Sequence, residues 1–332
     1  MDLTPRMIFW ETTKRCNLHC GYCRRLTAPA DQELTTPEAL RLIEVIRANF
    51  GKPVLVLSGG EPLLREDIFD IMAHAARMGL PLALATNGLR LEEKEAVWLR
   101  QSGVKRVSLS FDSVDSGTHD RSRGLPGAFE KTKAAAAFLQ AHAVPFQINF
   151  TLTKKNRGEV RAVADFGQTL GAVGVHYFVL VPVGCGKTVR PADMLDGEEA
   201  EDVLTRIRAL AAEYALDIRP TCSPQYVRLG DPHFAKGCLA GTGVVFISSE
   251  GKVYPCGYLP VSAGSIRENS LLDIWKNAAV FQTLRQNDLK GGCGVCAWKN
   301  QCRGCRARAY GVTGDYMASD VTCCLAPGVA VS

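Results

Sequence analysis

Six short apolar runs alternate with amphipathic stretches between residues 8 and 182, and this alternation constrains the fold of the chain most strongly. Each run has 5 to 7 residues and is rich in β-branched or aromatic side chains, as buried strands are. The runs are IFWETT at 8–13, VLVLS at 54–58, LALAT at 82–86, RVSLSF at 106–111, FQINFTL at 146–152 and VHYFVLV at 175–181. Strands that alternate with helices form parallel sheets with right-handed crossovers, so we predict an α/β fold that is a barrel or part of one.

The stretches between the runs carry signals for helix ends. Thr36 and Pro37 open the first predicted helix, because proline is favoured in the first helical turn. Gly79 and Gly103 occupy the positions where a left-handed C-cap would close the next two helices. A further helix is predicted at about 196–214.

The composition changes after about residue 218. Most of the thirteen cysteines follow, and the regular periodicity fades. A hairpin is predicted from VVFIS and KVYPC around Glu250 and Gly251, followed by a short helix near SLLDIWKN. Such a segment has few continuous apolar faces and is expected to depend on bound metal for its fold. We therefore predict a barrel domain at 1–218 and a small cysteine-rich domain at 219–332.

The whole-chain properties narrow the class of protein. No run approaches the roughly 20 apolar residues of a membrane span, and the N-terminus lacks the pattern of a secretory signal, so a cytoplasmic protein without a membrane partner is expected. Thirteen cysteines, an odd number, then indicate reduced thiolates that bind metal rather than a disulfide framework. The net charge of +5 favours an acidic redox partner or a carboxylate-rich small molecule over nucleic acid.

Three cysteines directly follow the first predicted strand. Cys16, Cys20 and Cys23 have the spacing Cx3Cx2C and would lie on the carboxyl-terminal rim, where barrel enzymes carry their chemistry. Four-iron clusters are normally held by four thiolates, so three thiolates leave one iron open to bind a substrate group. A zinc site or structural thiols are the alternatives.

The second predicted strand ends in a glycine-rich turn of sequence SGGEP. Gly59 and Gly60 allow the backbone to approach a ligand closely, and Glu61 can accept hydrogen bonds from an ammonium group. An ordinary turn into a helix would explain the SGGEP motif taken alone. It does not readily explain why this motif and the three-cysteine motif occur at the ends of adjacent strands.

With both motifs present, the chain resembles the radical S-adenosylmethionine (SAM) superfamily, whose motif CxxxCxφC places an aromatic residue, here Tyr22, before the last cysteine. The resemblance implies a partial (β/α)6 barrel in which SAM chelates the open iron of a [4Fe-4S] cluster. Electron transfer into the sulfonium would then release a 5'-deoxyadenosyl radical. A flavodoxin or ferredoxin-type electron donor is implied as well.

The resemblance also implies a set of cofactor contacts at the strand ends. Each of the polar residues beyond the glycine-rich turn could equally cap a strand or form a turn. The implied contacts are Gly59, Gly60, Glu61 and Pro62 for the SAM amino group, Asn87 after the third strand, Ser110 and Asp112 for the ribose, Asn149 on the fifth strand, and Val181 near the adenine.

The remaining cysteines resemble the SPASM extension of radical SAM enzymes, which holds auxiliary four-iron clusters. A zinc knuckle is the alternative for the two CxxC pairs. The resemblance implies one or two auxiliary clusters and leaves the choice between Cys323 and Cys324 open. The implied ligand sets are Cys222, Cys238, Cys256 and Cys305 for one cluster, and Cys293, Cys296, Cys302 and Cys323 for the other.

One further cysteine, Cys185, follows the sixth predicted strand in VPVGCGK. As a catalytic residue it would donate a hydrogen atom or ligate a substrate iron, and the alternative is an inert thiol. Lys187, Arg306 and Arg308 either pair with substrate carboxylates or serve the surface and the clusters.

The cysteine-rich end as a whole resembles the haem-pathway branch of SPASM proteins, which implies a tetrapyrrole substrate. Within that branch we expect removal of acetate side chains from 12,18-didecarboxysirohaem to give Fe-coproporphyrin III. Two siblings are the alternatives: the enzyme that decarboxylates coproporphyrin propionates to vinyl groups, and the haem d1 enzyme. A peptide-modifying SPASM maturase and a non-catalytic iron-sulfur electron carrier are the rivals outside the branch.

Overall fold

A single ten-stranded sheet runs through the computed structural model, which describes residues 4–25, 32–188, 193–231 and 233–325. The order of the strands is β10-β9-β8-β1-β2-β3-β4-β5-β6-β7, and all neighbours from β8 to β7 are parallel. The strands are β1 Met7–Glu11, β2 Val54–Ser58, β3 Leu82–Thr86, β4 Arg106–Phe111, β5 Phe146–Leu152, β6 Gly174–Val179, β7 Asp217–Thr221, β8 Val244–Ile247, β9 Lys252–Tyr254 and β10 Gly264–Ser265.

Helices connect the parallel strands and cover one face of the sheet. The first begins behind a capping box in which Thr35 and Glu38 bond each other's backbone, followed by Pro37 in the first turn. The helices are α1 Thr36–Phe50, α2 Ile68–Arg77, α3 Glu93–Gln101, α4 Ser116–Arg123, α5 Ala128–Ala141, α6 Val160–Thr169, α7 Gly197–Glu213, α8 Leu271–Asn277, α9 Ala279–Gln286, α10 Gly291–Val295, α11 Lys299–Cys302 and α12 Arg306–Thr313.

The two faces of the strands differ in chemistry, because successive side chains point to opposite faces. Large aliphatic and aromatic residues such as Leu57, Leu109 and Phe150 are buried under the helices. On the other face stand small or polar residues that are only half-buried, among them Ser110 and Asn149. The sheet therefore curves around an interior that is polar and accessible at the carboxyl ends of the strands.

The predicted partial barrel is confirmed, and four of the six strands have the predicted bounds. β1 ends two residues earlier than predicted, and β6 covers 174–179 instead of 175–181. The left-handed glycines are confirmed, with φ of 72° at Gly79 and 69° at Gly103. The strand β7 was not predicted, because its sequence DIRPT carries charges where an apolar run was sought.

The predicted hairpin and short helix of the cysteine-rich segment also form. β8 and β9 pair in an antiparallel hairpin whose turn holds Gly251 at φ 83°. β8 lies parallel to β1, with Met7 opposite Val244 and Trp10 opposite Ile247. The sheet thus continues across residue 218, and the proposed domain boundary there stays a prediction. No described helix is long and apolar enough to span a bilayer.

Candidate active site

Three thiols lie on the loop after β1, at the carboxyl-terminal edge of the sheet. Cys16, Cys20 and Cys23 are all half-buried and close enough to influence one another electrostatically. Burial raises the pKa of the Cys20 thiol to about 11, and burial also raises the pKa of Cys16. A thiol whose pKa is raised by burial ionises only beside a positive partner, and the irons of a cluster supply one. These three donors therefore fit a cluster that leaves one iron open.

The glycine-rich turn after β2 packs directly against this loop. The amide of Gly60 donates to the Thr13 carbonyl at 2.7 Å, and the amide of Glu61 donates to the Arg15 carbonyl at 2.7 Å. A Cβ atom on Gly59 would stand 2.7 Å from the Thr13 oxygen, and one on Gly60 would stand 2.2 Å from the Arg15 oxygen. Glycine is therefore required at both positions by the close approach of two backbones.

Glu61 is fully buried, and its carboxylate binds its own chain. Its oxygens accept hydrogen bonds from the Thr86 hydroxyl at 2.7 Å, the Asn87 amide at 2.7 Å and the Leu63 amide at 3.1 Å. Burial raises the pKa of Glu61, against these hydrogen bonds. The side chain thus fastens the turn after β2, where Pro62 starts a short 3₁₀ helix, to the turn after β3. Its predicted contact with the SAM amino group stays a prediction.

Asn87, predicted from the third strand end, lies beside the three-thiol loop. Its side-chain amide donates to Asn17 at 2.8 Å and stands 4.0 Å from the Cys16 sulfur. Its backbone is held by Glu61, so the residue connects the turn after β3 to the first thiol.

Asp112 and Tyr22 belong to one buried network around Arg123. The Arg123 guanidinium pairs with both carboxylate oxygens of Asp112, at 2.7 and 3.0 Å, and approaches the Cys20 sulfur at 3.9 Å. The Tyr22 hydroxyl donates to the same carboxylate, and so does Ser122 at 3.1 Å. With its oxygens occupied in this way, Asp112 braces the thiol loop, and its predicted ribose contact stays untested.

The other predicted cofactor contacts occupy the inner edge of the sheet. Ser110 on β4 and Asn149 on β5 are directly opposite each other in the strand register. Both are half-buried, and the Asn149 side-chain oxygen accepts from Gln147 at 2.7 Å. Val181 is buried just beyond β6. Their roles in holding SAM stay predictions.

Cys185 lies against the loop of the first three thiols. Its amide donates to the Cys23 carbonyl at 2.8 Å, and its sulfur is 3.6 Å from the Arg25 carbonyl. Gly184, at φ 61°, allows this approach, because a Cβ there would be 2.4 Å from the Arg24 oxygen. The thiol is thus at the edge of the site, and its catalytic role stays a prediction.

A second set of thiols joins residues far apart in the sequence. Cys222, Cys238, Cys256 and Cys305 all act on one another electrostatically, and burial raises the pKa of Cys256 to about 12 and of Cys305 to about 11. Cys222 has a left-handed backbone with φ 59°. The structure therefore brings together the four thiols that the resemblance assigned to one auxiliary cluster, and four thiolates complete a closed cluster.

The third set lies around a small pocket of about 20 Å³. Its lining includes Cys293, Cys296, Cys302 and Cys323. Cys324 is not part of this lining, and its sulfur is 3.7 Å from the Arg228 guanidinium instead. Of the two adjacent cysteines, Cys323 is thus the one that faces the other three thiols.

A buried ion pair stands between the two auxiliary sets. Arg308 binds Asp320 at 3.1 and 3.2 Å and also donates to the Cys222 carbonyl at 2.7 Å. Arg306 is equally buried, with its guanidinium 3.7 Å from the Cys293 sulfur. The suggestion that these two arginines pair with substrate carboxylates is wrong, because both are at most 1% exposed and fully engaged by the chain.

The thiol sets differ from a mononuclear metal site in their spacing. Among the described residues, no group of three or more His, Cys, Asp or Glu side chains is gathered tightly enough to hold one metal ion. Ligands of a single zinc ion must each reach it at about 2.0–2.3 Å. Three sets of three, four and four thiols instead fit the ligand demands of four-iron clusters.

Sequence reasoning missed Arg123 and Asp320, which hold the thiol loops in place. No local pattern marks them, since Arg123 and Cys20 are 103 residues apart in the chain. Asp320 lies between the two CxxC pairs and the final cysteines, and its proximity to Cys323 was the only available signal.

The chain shares two families' patterns over most of its length. The Radical SAM superfamily matches residues 10–167, and the SPASM iron-sulfur cluster-binding domain matches residues 238–306. Both the three-thiol loop and the glycine-rich turn lie in the first match, and the paired CxxC motifs lie in the second. The chain is accordingly an enzyme that uses [4Fe-4S] clusters and SAM.

Individual relatives agree with this assignment. The AdoMet-dependent heme synthase of Methanosarcina barkeri is 44% identical over 99% of both chains. The pre-heme d1 synthase of Dinoroseobacter shibae is 31% identical over 97% of this chain and 87% of its own. Streptococcus suis SuiB bound to S-adenosylmethionine has the same fold, with a TM-score of 0.80 at 17% identity over 97% of this chain and 78% of its own. The chain therefore belongs to the family of radical SAM enzymes with a SPASM domain that includes the AdoMet-dependent heme synthases.

Proposed function

We propose that this enzyme acts on a tetrapyrrole and is itself an AdoMet-dependent haem synthase, which converts propionate side chains of Fe-coproporphyrin III to vinyl groups. The observation that carries the proposal is the 44% identity, over 99% of both chains, to a relative of that name. Removal of acetates from 12,18-didecarboxysirohaem, expected from the sequence, is the second candidate. The same relative favours the conversion of propionates to vinyl groups over the removal of acetates.

An open cleft supports a substrate with carboxylate side chains. It lies between the three-thiol loop and the hairpin of β8 and β9, and its volume of about 280 Å³ is close to the lower end of the range of small-molecule sites, about 300–1,000 Å³. Aromatic rings on one wall suit a flat macrocycle. The aromatic lining residues are Phe246, Tyr254 and Tyr258.

Basic residues on the cleft provide partners for carboxylates. Lys14 and Lys252 both pair with Glu250, at 2.6 and 3.3 Å. Two ammonium groups thus share one carboxylate. The Arg24 guanidinium lies 4.5 Å from the Phe246 ring and donates to the Gly257 carbonyl at 3.3 Å. A guanidinium held in this way presents its remaining N–H groups in a fixed direction, which suits a carboxylate.

The cleft is adjacent to two of the thiol sets. Burial and the nearby thiols of Cys222, Cys23 and Cys256 raise the pKa of the Tyr258 phenol, so this ring is close to both sets and stays neutral at physiological pH. A side chain bound against Tyr258 would be next to the site of hydrogen removal and next to an auxiliary set.

The proposed reaction balances at each side chain. A propionate, CH2–CH2–COO⁻, becomes a vinyl group, CH=CH2, by loss of one hydrogen atom, one electron and CO2. When bound, the cluster and SAM supply the radical chemistry that removes the hydrogen atom, which no protein side chain supplies alone. The chain's own residues bind the carboxylates, orient the macrocycle and fix the thiol loop through Glu61 and Arg123.

The test is an anaerobic incubation of reconstituted enzyme with SAM, a chemical reductant and one tetrapyrrole, followed by mass spectrometry. With Fe-coproporphyrin III we expect loss of CO2 and two hydrogens from each converted propionic acid group. Loss of two acetate groups from 12,18-didecarboxysirohaem, with no reaction of Fe-coproporphyrin III, would move the assignment to the second candidate. If the enzyme converts neither compound, that result contradicts the proposal.

A further inference from the structure

Exposed large apolar side chains are concentrated beside the third thiol set. Among the described residues five such side chains are exposed, and three of them belong to this region: Val295 at 90%, Leu325 at 50% and Trp298 at 38%. We call these three residues the apolar patch. Trp298 and Leu325 also line the pocket around which Cys293, Cys296, Cys302 and Cys323 are arranged.

A half-buried thiol of this set lies within the patch. Cys293 and Cys302 are buried at 8% and 9% exposure, whereas Cys296 and Cys323 are half-buried. Cys296 directly follows Val295, and the Trp298 amide donates to its sulfur at 3.4 Å. The patch therefore adjoins a point where this thiol set comes close to the surface.

Charged residues around the patch are mostly basic. Lys236 is exposed beside Gly237, whose amide bonds the Gln301 carbonyl in α11, and Lys299 begins that helix. Lys290 is exposed as well and pairs with Asp315 at 2.6 Å. Asp315 is half-buried, and Asp288 is an exposed acidic residue two positions before Lys290. An apolar centre with a basic rim is complementary to a partner with an apolar contact and an acidic rim.

We propose that the apolar patch is the docking surface for an acidic one-electron carrier protein. The proposal rests on the proposed function, in which each propionate releases one electron besides the hydrogen atom and CO2. An oxidised carrier at the patch takes up that electron and is reduced by one. Electron-transfer contacts are small and transient, which agrees with a patch of three apolar residues rather than a large interface.

The test measures binding of oxidised acidic [2Fe-2S] ferredoxin to the reconstituted holoenzyme by isothermal titration calorimetry, without substrate. Val295→Glu places a like charge at the centre of the contact, and Lys299→Glu reverses a charge on its rim. We expect each to weaken binding about tenfold or more, and the Lys299→Glu effect to shrink at high salt. Val173→Glu is the matched control, since Val173 is an exposed apolar residue at 38% just before β6, and its variant should bind like the original.

Two further measurements keep the outcome specific to docking. Iron content and dithionite-driven SAM cleavage should be unchanged in Val295→Glu, which shows that the thiol set is intact. Because ferredoxin binding needs no tetrapyrrole, it tests the patch even if the proposed substrate is wrong. Unchanged binding in both variants overturns the proposal. So does a loss of self-association on gel filtration without any change in ferredoxin affinity, since the patch would then join two copies of the chain.

Discussion

Arg123 shows how a single side chain organises the site at the scale of residues. It pairs with Asp112, which receives the Tyr22 hydroxyl, and it approaches the Cys20 sulfur at 3.9 Å. Both Arg123 and Asp112 are less than 9% exposed, so removal of either would leave a buried charge without a partner, a loss that typically costs about 3–5 kcal/mol. The position of the second thiol thus depends on a residue that is 103 positions away in the chain.

Adjacent Cys323 and Cys324 offer a matched test of the third thiol set. We expect Cys323→Ser to lose about four irons per reconstituted chain, because Cys323 lines the pocket with the other three thiols. Cys324→Ser should keep its iron, since that sulfur faces Arg228 at 3.7 Å. Iron analysis together with the electron paramagnetic resonance spectrum of the reduced protein checks this. The reverse pattern would show that Cys324 is the ligand.

Ligand residues were predictable from the sequence where their spacing is local. The spacing of Cys16, Cys20 and Cys23 is set by one short loop, and the CxxC pairs are equally local. Cys222 entered only through family resemblance, because its partners Cys238, Cys256 and Cys305 form no regular spacing with it. Arg123 was missed, because Cys20 is 103 residues away in the chain. The structure brings them together through the order of the strands.

At the scale of elements, the turn after β2 supports the thiol loop through direct backbone contacts. Its own amides donate two backbone hydrogen bonds to the segment that leads into Cys16, and the space between the two backbones admits no Cβ. This contact explains a sequence motif by packing between backbones, in addition to any contact with a ligand.

Gly60→Ala tests this contact against Gly21→Ala. A methyl group at residue 60 would overlap the Arg15 oxygen, so the loop must shift; we expect a loss of about 1–3 kcal/mol in the free energy of unfolding and lower iron occupancy. Gly21 is in the thiol loop itself, but a methyl group there would meet no atom within 4 Å, and its φ is not positive, so its alanine variant should retain both. Urea unfolding and iron analysis measure the two effects. Equal losses in both variants would contradict the packing explanation.

Strand prediction succeeded where burial on one face produced apolar runs and failed where it did not. β2 to β5 have the predicted bounds, because their alternate side chains are buried beneath helices. Among the described strands β7 pairs with β6 alone, so it is an edge strand, and its residues Asp217 and Arg219 make polar contacts instead. Edge strands carry a weaker apolar signal in the sequence.

At the scale of the whole molecule, the sheet and the segment around the auxiliary thiols differ in how much apolar core supports them. The strands β1 to β9 share one extensive buried cluster with the surrounding helices. Around the auxiliary thiols there is a separate and much smaller cluster, which includes Val181, Leu259 and Met317. Bound metal should therefore contribute far more to the stability of the cysteine-rich part than to that of the barrel.

Removal of iron should expose this difference in amide hydrogen exchange. We expect the iron-free protein to lose protection at residues 293–323, while β2 to β5 keep theirs, because the core beneath β2 to β5 consists of packed apolar side chains. Exchange is compared by mass spectrometry before and after chelation under anaerobic conditions. Uniform loss of protection across both regions would show instead that the metal supports the whole chain as one cooperative unit.

Pairing of β8 with β1 also sets the order of events during synthesis. β1 can pair with β2 once Ser58 has been synthesised. The other edge of β1 stays unpaired until β8 is complete at Ile247. At about 5–20 residues per second, the intervening segment takes roughly 10–40 s to translate. During that interval the nascent barrel has an open strand edge beside the first three cysteines, so its exposure to aggregation is greatest before cluster assembly can be completed.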